Sequence, residues 1–151
     1  MSLKKNLKSD LPEAIICDLD GTLALYGDRN PYDRDFTKDE INVPVGRLVL
    51  KYVGGATQVI FVSGRKDIYR GQTEQWLKDN GFLYYGELLF MRKTQPKGKQ
   101  EPKDVLVKQE IYENEIKNKY NVLFVLDDRN QVVDFWRSQG LTCFQVAEGN
   151  F

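Results

Sequence analysis

Histidine is missing from this chain of 151 residues. Its absence excludes Ser-His-Asp and Cys-His catalysis, histidine general bases and histidine-ligated zinc, and leaves acid–base work to carboxylates, lysine, tyrosine or cysteine. Cysteine is scarce: Cys17 and Cys143 both sit in apolar runs, where a small buried hydrophobe is expected rather than a disulfide. An arginine six residues after a cysteine would suggest a thiolate phosphatase, but those positions hold Leu23 and Gly149. Reduced thiols fit a cytoplasmic setting. No apolar run approaches membrane-spanning length, and the polar, lysine-bearing start lacks the apolar centre of a signal peptide. Net charge is missing as well: 22 Lys+Arg balance 22 Asp+Glu, so attraction to a polyanion has to come from local clusters. There is no Gly-x-x-x-x-Gly-Lys-Ser/Thr phosphate loop, which excludes a nucleotide-binding kinase of that type from this chain.

At 41% hydrophobic residues the chain has enough apolar material for one buried core and is too short for two full domains. A polar leader covers 1–11, its first three residues compatible with an expression scar, and one domain is expected over 12–151. Apolar runs at 14–17, 58–62, 87–91, 121–126 and 142–146 read as strands. Between them, helices are expected at 43–53 behind Asn42 as N-cap with Pro44 in the first turn, at 67–80 ending at Gly81, at about 103–118, and at 130–139 ending at Gly140. Regular alternation of this kind predicts an α/β domain: about five parallel strands in a Rossmann-like sheet with helices on both faces. The stretch 25–40, rich in Asp, Arg, Tyr and Pro, has no period, and a loop that long beside a motif is expected to be functional.

The richest motif is Asp18-Leu19-Asp20-Gly21-Thr22, two acids one residue apart where the first apolar run gives way to Gly-Thr. A strand that delivers a carboxylate to its exit presents it as a nucleophile to a metal-bound phosphate. Ligands of open α/β sheets sit beyond the carboxyl ends of the strands. Asp18 and Asp20, Ser63-Gly64-Arg65, and Asp127-Asp128-Arg129 all leave strands at that end, so three exits should converge on one crevice. Four carboxylates there would repel one another without a cation. Oxygen ligands with no histidine or thiolate suit Mg²⁺. Asp18 is then the expected nucleophile, and Asp20 the acid that protonates the leaving oxygen and the base that activates water. Ser63, with backbone N–H groups around Gly64 and Gly21, can hold phosphoryl oxygens. Asp104 and Lys108, four apart on one helix, can pair and aim the ammonium at the phosphoryl group. Trp76 and Trp136 fall at helical spacing with apolar neighbours and are expected in the core. From Arg92 to Lys108 the chain carries six basic residues against two acids, which suits either a solvated loop or the track of a nucleic-acid backbone.

In their order, Asp18 to Thr22, Ser63, Lys108 and Asp127-Asp128 resemble the four motifs of the haloacid dehalogenase (HAD) superfamily of phosphotransferases. A tighter resemblance lies in 27–33, in Val62-Ser63-Gly64-Arg65, in 126–133, in Trp136-Arg137 and in 143–151. These segments are similar to the 3′-phosphatase domain family typified by bacteriophage T4 polynucleotide kinase-phosphatase. The resemblance implies a Mg²⁺-dependent polynucleotide 3′-phosphatase of nucleic-acid end repair, working through an aspartyl-phosphate. It implies Asp18, Asp20, Ser63 and Lys108 as catalytic residues, Arg29, Arg65, Thr22, Gly64 and Asp104 at the substrate, and Asp18, Asp20, Asp127 and Asp128 at the metal, Asp20 through its backbone carbonyl. It also implies nucleic-acid 3′-phosphate ends as partner, a kinase or ligase supplied by another chain, no membrane, and a cytoplasmic, phage-type setting. The segment after Asp20 is too short for a substantial cap domain, so the crevice should be open. The nearest rival is a HAD phosphatase of small phosphomonoesters such as nucleotides. A signalling receiver also uses Mg²⁺ and a phosphorylated aspartate, but its acid pair comes early and its nucleophile after the third strand.

Overall fold

The computed structural model describes residues 10–30 and 32–151. Most of the leader and Pro31, inside the loop expected at 25–40, lie outside the described residues. Among the described residues, seven strands and four α-helices follow one another: β1 (Glu13–Cys17), β2 (Ala24–Leu25), β3 (Glu40–Ile41), α1 (Val43–Leu50), β4 (Gln58–Lys66), α2 (Arg70–Asp79), β5 (Leu88–Arg92), α3 (Asp104–Ile111), β6 (Asn121–Asp127), α4 (Asn130–Ser138) and β7 (Cys143–Gln145). Five of them form one parallel sheet in the order β5-β4-β1-β6-β7. The expected α/β architecture is the one observed.

Strand alternation builds two cores. Successive side chains of a strand point to opposite faces, so Ile15 and Cys17 of β1 join Val59 and Phe61 of β4 under α1 and α2, with Val49, Trp76, Leu77 and Phe82. Ala14 and Ile16 join Ile60 and Val62 on the other face, with Tyr112, Ile116, Val132 and Trp136 from the α3 and α4 side. β1 is central and its four apolar residues are at most 1% exposed. Burying each of its two isoleucines, Ile15 and Ile16, contributes roughly 1.5–3 kcal/mol. The strand that carries the key acid is therefore among the best anchored in the molecule. Both tryptophans are core residues, as their spacing indicates.

Several boundaries differ from those the pattern suggests. α1 stops at Leu50 and 51–53 form turns; α2 begins only after a 3-10 turn, Asp67–Tyr69; α3 passes into a π-helical segment, Tyr112–Ile116. β4 runs on to Lys66 through a register irregularity between Ser63 and Lys66, which carries the sheet directly into the site. Asn42 does not cap α1 with its side chain: its amide donates to the Thr22 carbonyl at 2.9 Å, tying the helix start to the motif turn. Within the aperiodic stretch, β2 and β3 pair antiparallel, and a 3-10 turn, Phe36–Lys38, sits between them. Strands of two residues are too short to leave a period. Among the described residues, this hairpin and turn are the only regular elements between β1 and α1, and no separate cap layer covers the crevice.

Candidate active site

Parallel pairing of β1 with β6 sets Cys17 opposite Leu126, so that Asp18 and Asp127, one residue further along each strand, emerge side by side. The Asp18 N–H donates to the Leu126 carbonyl at 2.9 Å. Carboxylate oxygens of Asp18, Asp127 and Asp128 lie within 4.8 Å of one another, and all three residues are buried. Lys108 enters from α3, with Nζ 2.8 Å from Asp18 Oδ1, 3.0 Å from Asp127 Oδ2 and 3.7 Å from Asp104 Oδ2. Trp136 Nε1 donates to Asp127 Oδ2 at 3.1 Å, and Thr22 Oγ1 donates to Asp18 Oδ2 at 2.8 Å. Gly21 closes the turn at φ +80, and a Cβ there would collide with the Asp128 carboxylate.

One ammonium does not balance this cluster. At an effective dielectric constant of about 20, two like charges this close repel by roughly 3 kcal/mol. Burial, then the neighbouring Asp127 charge, raises the Asp18 carboxyl well above its ordinary range, with Lys108 opposing. Burial and Asp127 raise Asp128 in the same direction. For Lys108, burial acts to lower its pKa, but Asp18, Asp127 and Asp104 outweigh it and hold the ammonium firmly charged. The trio offers only carboxylate oxygens, the donor set of a hard divalent cation.

A second buried charge cluster flanks β1 on the β4 side. Arg65 holds the Asp20 carboxylate through Nε at 3.0 and 3.1 Å and Nη2 at 2.7 Å, and reaches Asp39 Oδ2 at 2.8 Å with Nη2. Arg29 Nε donates to Asp39 Oδ1 at 2.6 Å, and its Nη1 donates to the Asp33 carbonyl. The Phe36 ring lies under both guanidiniums, at 4.0 Å from Arg65 and 5.0 Å from Arg29. Trp76 Nε1 donates to the Asp39 carbonyl at 2.9 Å and pins the strap to α2. Burial lifts the Asp39 carboxyl above its ordinary value, with Arg29 and Arg65 pulling the other way. The sequence pattern did not single out Asp39. It is one acid in an acid-rich stretch, and only the fold brings it between two arginines from different segments.

A crevice of about 510 Å³ opens over both clusters, lined by Asp18, Asp20, Gly64, Arg65, Asp104, Lys108, Asp127 and Asp128. Asp20 faces it from outside the carboxylate trio. Arg29, Ser63 and Thr22 are not in the lining: all three are buried, and one Arg29 nitrogen, Nη2, has no partner. Ser63 Oγ accepts from the Arg65 N–H at 3.1 Å and thereby shapes the loop that carries Arg65. The Gly21 N–H, expected to be open to a phosphoryl oxygen, instead donates to the Ala24 carbonyl at 2.9 Å because the turn closes on itself. Of the basic run 92–108, Arg92, Lys103 and Lys108 reach the crevice, while Lys93, Lys97 and Lys99 are exposed away from it. Arg92 Nε also supports the site from behind, donating to the Gly64 carbonyl at 2.8 Å.

Three comparisons with known proteins bear on this geometry. The family of polynucleotide kinase PNKP phosphatase domains matches residues 12–151. A protein of Autographa californica nuclear polyhedrosis virus, named as a bifunctional polynucleotide kinase/RNA ligase, is 38% identical over 141 residues, covering 90% of this chain and 20% of that protein. A chain of the Pnkp1/Rnl/Hen1 RNA repair complex superposes with a TM-score of 0.85 at 42% identity, over 97% of this chain and 46% of that one. This chain thus spans about a fifth of the viral relative and under half of the repair-complex chain. A class C acid phosphatase from Bacillus anthracis with tungstate bound shares the fold alone, with a TM-score of 0.59 at 16% identity over 95% of this chain. Among the described residues, no helix is long and apolar enough to cross a membrane.

Proposed function

This chain belongs to the family of polynucleotide kinase PNKP phosphatase domains, and from that premise we propose that it removes the 3′-terminal phosphate from DNA or RNA ends during nucleic-acid repair. The observation that carries the reading is the buried carboxylate trio with a single lysine among it, open to a crevice. Such a cluster has an excess of negative charge and is completed by a divalent cation, for which Mg²⁺ fits an all-oxygen donor set. Asp18, Asp127 and Asp128 would hold it, joined by the backbone of Asp20. Bound there, it supplies charge neutralisation that lets a carboxylate approach a phosphate dianion.

In this reading Asp18 attacks the phosphorus, its oxygen–phosphorus bond forming as the bond to the 3′ oxygen breaks. Lys108, held between Asp18 and Asp127, orients the attacking carboxylate and stabilises the transferred group, with Asp104 behind it. Asp20 delivers a proton to the departing 3′ oxygen, then takes one from the water that hydrolyses the aspartyl-phosphate and frees Asp18. Arg65 grips the Asp20 carboxylate. An arriving phosphate gives that guanidinium an alternative anion to Asp20 and frees Asp20 to face the leaving oxygen. Ser63, Gly64 and Thr22 shape the cradle, and Arg29 supports Arg65 through their shared Asp39. We read 12–151 as one phosphatase domain, which acts with a kinase or ligase carried on other segments or chains, as the relatives' names suggest. Both thiols are free and buried, which agrees with a reducing, cytoplasmic setting.

Oligonucleotides ending in 3′-phosphate, 5′-phosphate or 2′,3′-cyclic phosphate, compared with mononucleotides with and without Mg²⁺, test the reading. Mg²⁺-dependent hydrolysis of the 3′-phosphate end, far above that of mononucleotides, is expected. Equal rates on the two would return the site to a phosphatase of small phosphomonoesters.

A further inference from the structure

The rim of the crevice on the β6 and β7 side carries an aromatic ring that the reaction above does not use. Phe151 lines the crevice and is 64% exposed, and its ring centroid lies 5.3 Å from the Arg129 guanidinium carbon. The segment that carries it is fastened to the metal-facing strand end. The Val146 N–H donates to the Asp127 carbonyl at 3.1 Å, and the Gln145 amide donates to the Asp128 carbonyl at 2.9 Å. The Asn130 N–H donates to the Gly149 carbonyl at 2.9 Å, and the Phe151 N–H donates to the same oxygen at 2.9 Å. Arg129 Nε closes the loop on the Phe151 carbonyl, also at 2.9 Å. Gly149 has to be glycine, since a Cβ there would run into the Asp128–Arg129 backbone. The backbone that carries this exposed ring is thus tied to the Asp127–Asp128 strand end.

We infer that Phe151, backed by Arg129, is the stacking platform for the nucleobase of the 3′-terminal nucleotide, an inference that rests on the polynucleotide reading above. Two observations favour a nucleic-acid end over an apolar partner. Two cations that share the crevice rim, Arg34 and Lys103, have no carboxylate partner among the described residues, so the rim offers unspent positive charge to a phosphodiester backbone. The ring and the Arg129 guanidinium also stand together at the crevice edge, where the proposal places the base attached to the terminal sugar. Every base has a π face, so a lone aromatic platform binds without reading sequence. Tyr26, the other exposed ring of the lining, is the less open of the two, 46% exposed against 64% for Phe151.

The test compares Phe151→Ala and Phe151→Trp on two oligonucleotides that both end in 3′-phosphate, one with a normal and one with an abasic terminal nucleotide. p-Nitrophenyl phosphate is run alongside. Stacking predicts that wild type favours the base-bearing end, that Phe151→Ala loses about tenfold of that preference in kcat/KM, mostly through KM, and that Phe151→Trp restores it. Tyr84→Ala, which removes an exposed ring that does not line the crevice, should leave the preference intact. A base preference unchanged in Phe151→Ala overturns the platform while the phosphatase assignment stands. A wild-type enzyme that handles the oligonucleotide no better than p-nitrophenyl phosphate overturns the polynucleotide reading itself.

Discussion

Two buried charge clusters flank β1, and they are built on opposite principles. On the β6 side, Asp18, Asp127 and Asp128 face one lysine, an excess of acid that burial makes worse. On the β4 side, Asp20 and Asp39 meet Arg29 and Arg65 in equal number, Asp20 in the Arg65 fork and Asp39 shared between the two guanidiniums. The first is costly until something positive arrives; the second is complete in its own charges. An unbalanced cluster marks where ligand charge goes, and a balanced one marks what holds the machinery in place. Substitutions in the two should therefore fail in different ways.

The largest effect is expected from Asp18→Asn. Removing the proposed nucleophile should lower kcat on a 3′-phosphorylated oligonucleotide by at least about 10⁴-fold, equivalent to about 5.4 kcal/mol of barrier. The same change should leave the metal-free protein as stable as wild type or more so, because the environment already disfavours the Asp18 charge. Rates with urea unfolding check both halves. Marked destabilisation of the metal-free variant would show that the trio is balanced after all and remove the contrast.

Asp39→Ala should reverse that pattern. It leaves two buried guanidiniums without their shared carboxylate, a loss of roughly 3–5 kcal/mol. Urea midpoints should fall sharply, and activity should fall with them as Arg65 loses its alignment on Asp20. Asp39→Asn, which keeps the shape and one acceptor, should recover part of both. A variant that keeps full stability would mean that Phe36 stacking and the Asp20 contact alone hold Arg65.

How much of this was readable beforehand follows the same division. Asp18, Asp127 and Asp128 each sit at the end of a long apolar run, and a parallel sheet brings such ends together whatever the loops do. Lys108 shares a helix face with Asp104, so their pairing could be read from spacing, and the neighbouring motifs were needed to aim it at the crevice. The arginine cluster could not be read that way. Asp39 reaches Arg65 through a hairpin of two-residue strands, too short for any period, and the pairing depends on where the 3-10 turn sets Phe36. Arg29 and Arg65, expected at the substrate phosphate, are both buried in ion pairs, and only Arg65 lines the crevice. Trp136 was read as core and is core, but its N–H on Asp127 became visible only once β6 and α4 were packed together.

The smallest effect tests the unbalanced cluster without a mutation. Asp18 and Asp128 have raised carboxyls in the folded protein, so between about pH 4 and those raised values the folded chain binds more protons than the unfolded one. Stability of the metal-free protein then falls as pH rises through that window, and Asp39, raised by burial, adds in the same sense. Glu87, lowered overall by N–H donors from Tyr84, Tyr85 and Gly54 against the opposing effect of burial, acts the other way and removes stability only as pH drops below its ordinary range. The metal-free optimum should therefore lie in mild acid. A divalent cation competes with the protons that relieve the trio, so its stabilisation should grow with pH. At a concentration about 100 times its dissociation constant near pH 7.5 it adds about 2.7 kcal/mol, and the same concentration adds much less near pH 5. Thermal unfolding with and without Mg²⁺ at the two pH values measures this directly. An equal shift at both would place the cation elsewhere and leave the excess of acid beside Lys108 without its counter-charge.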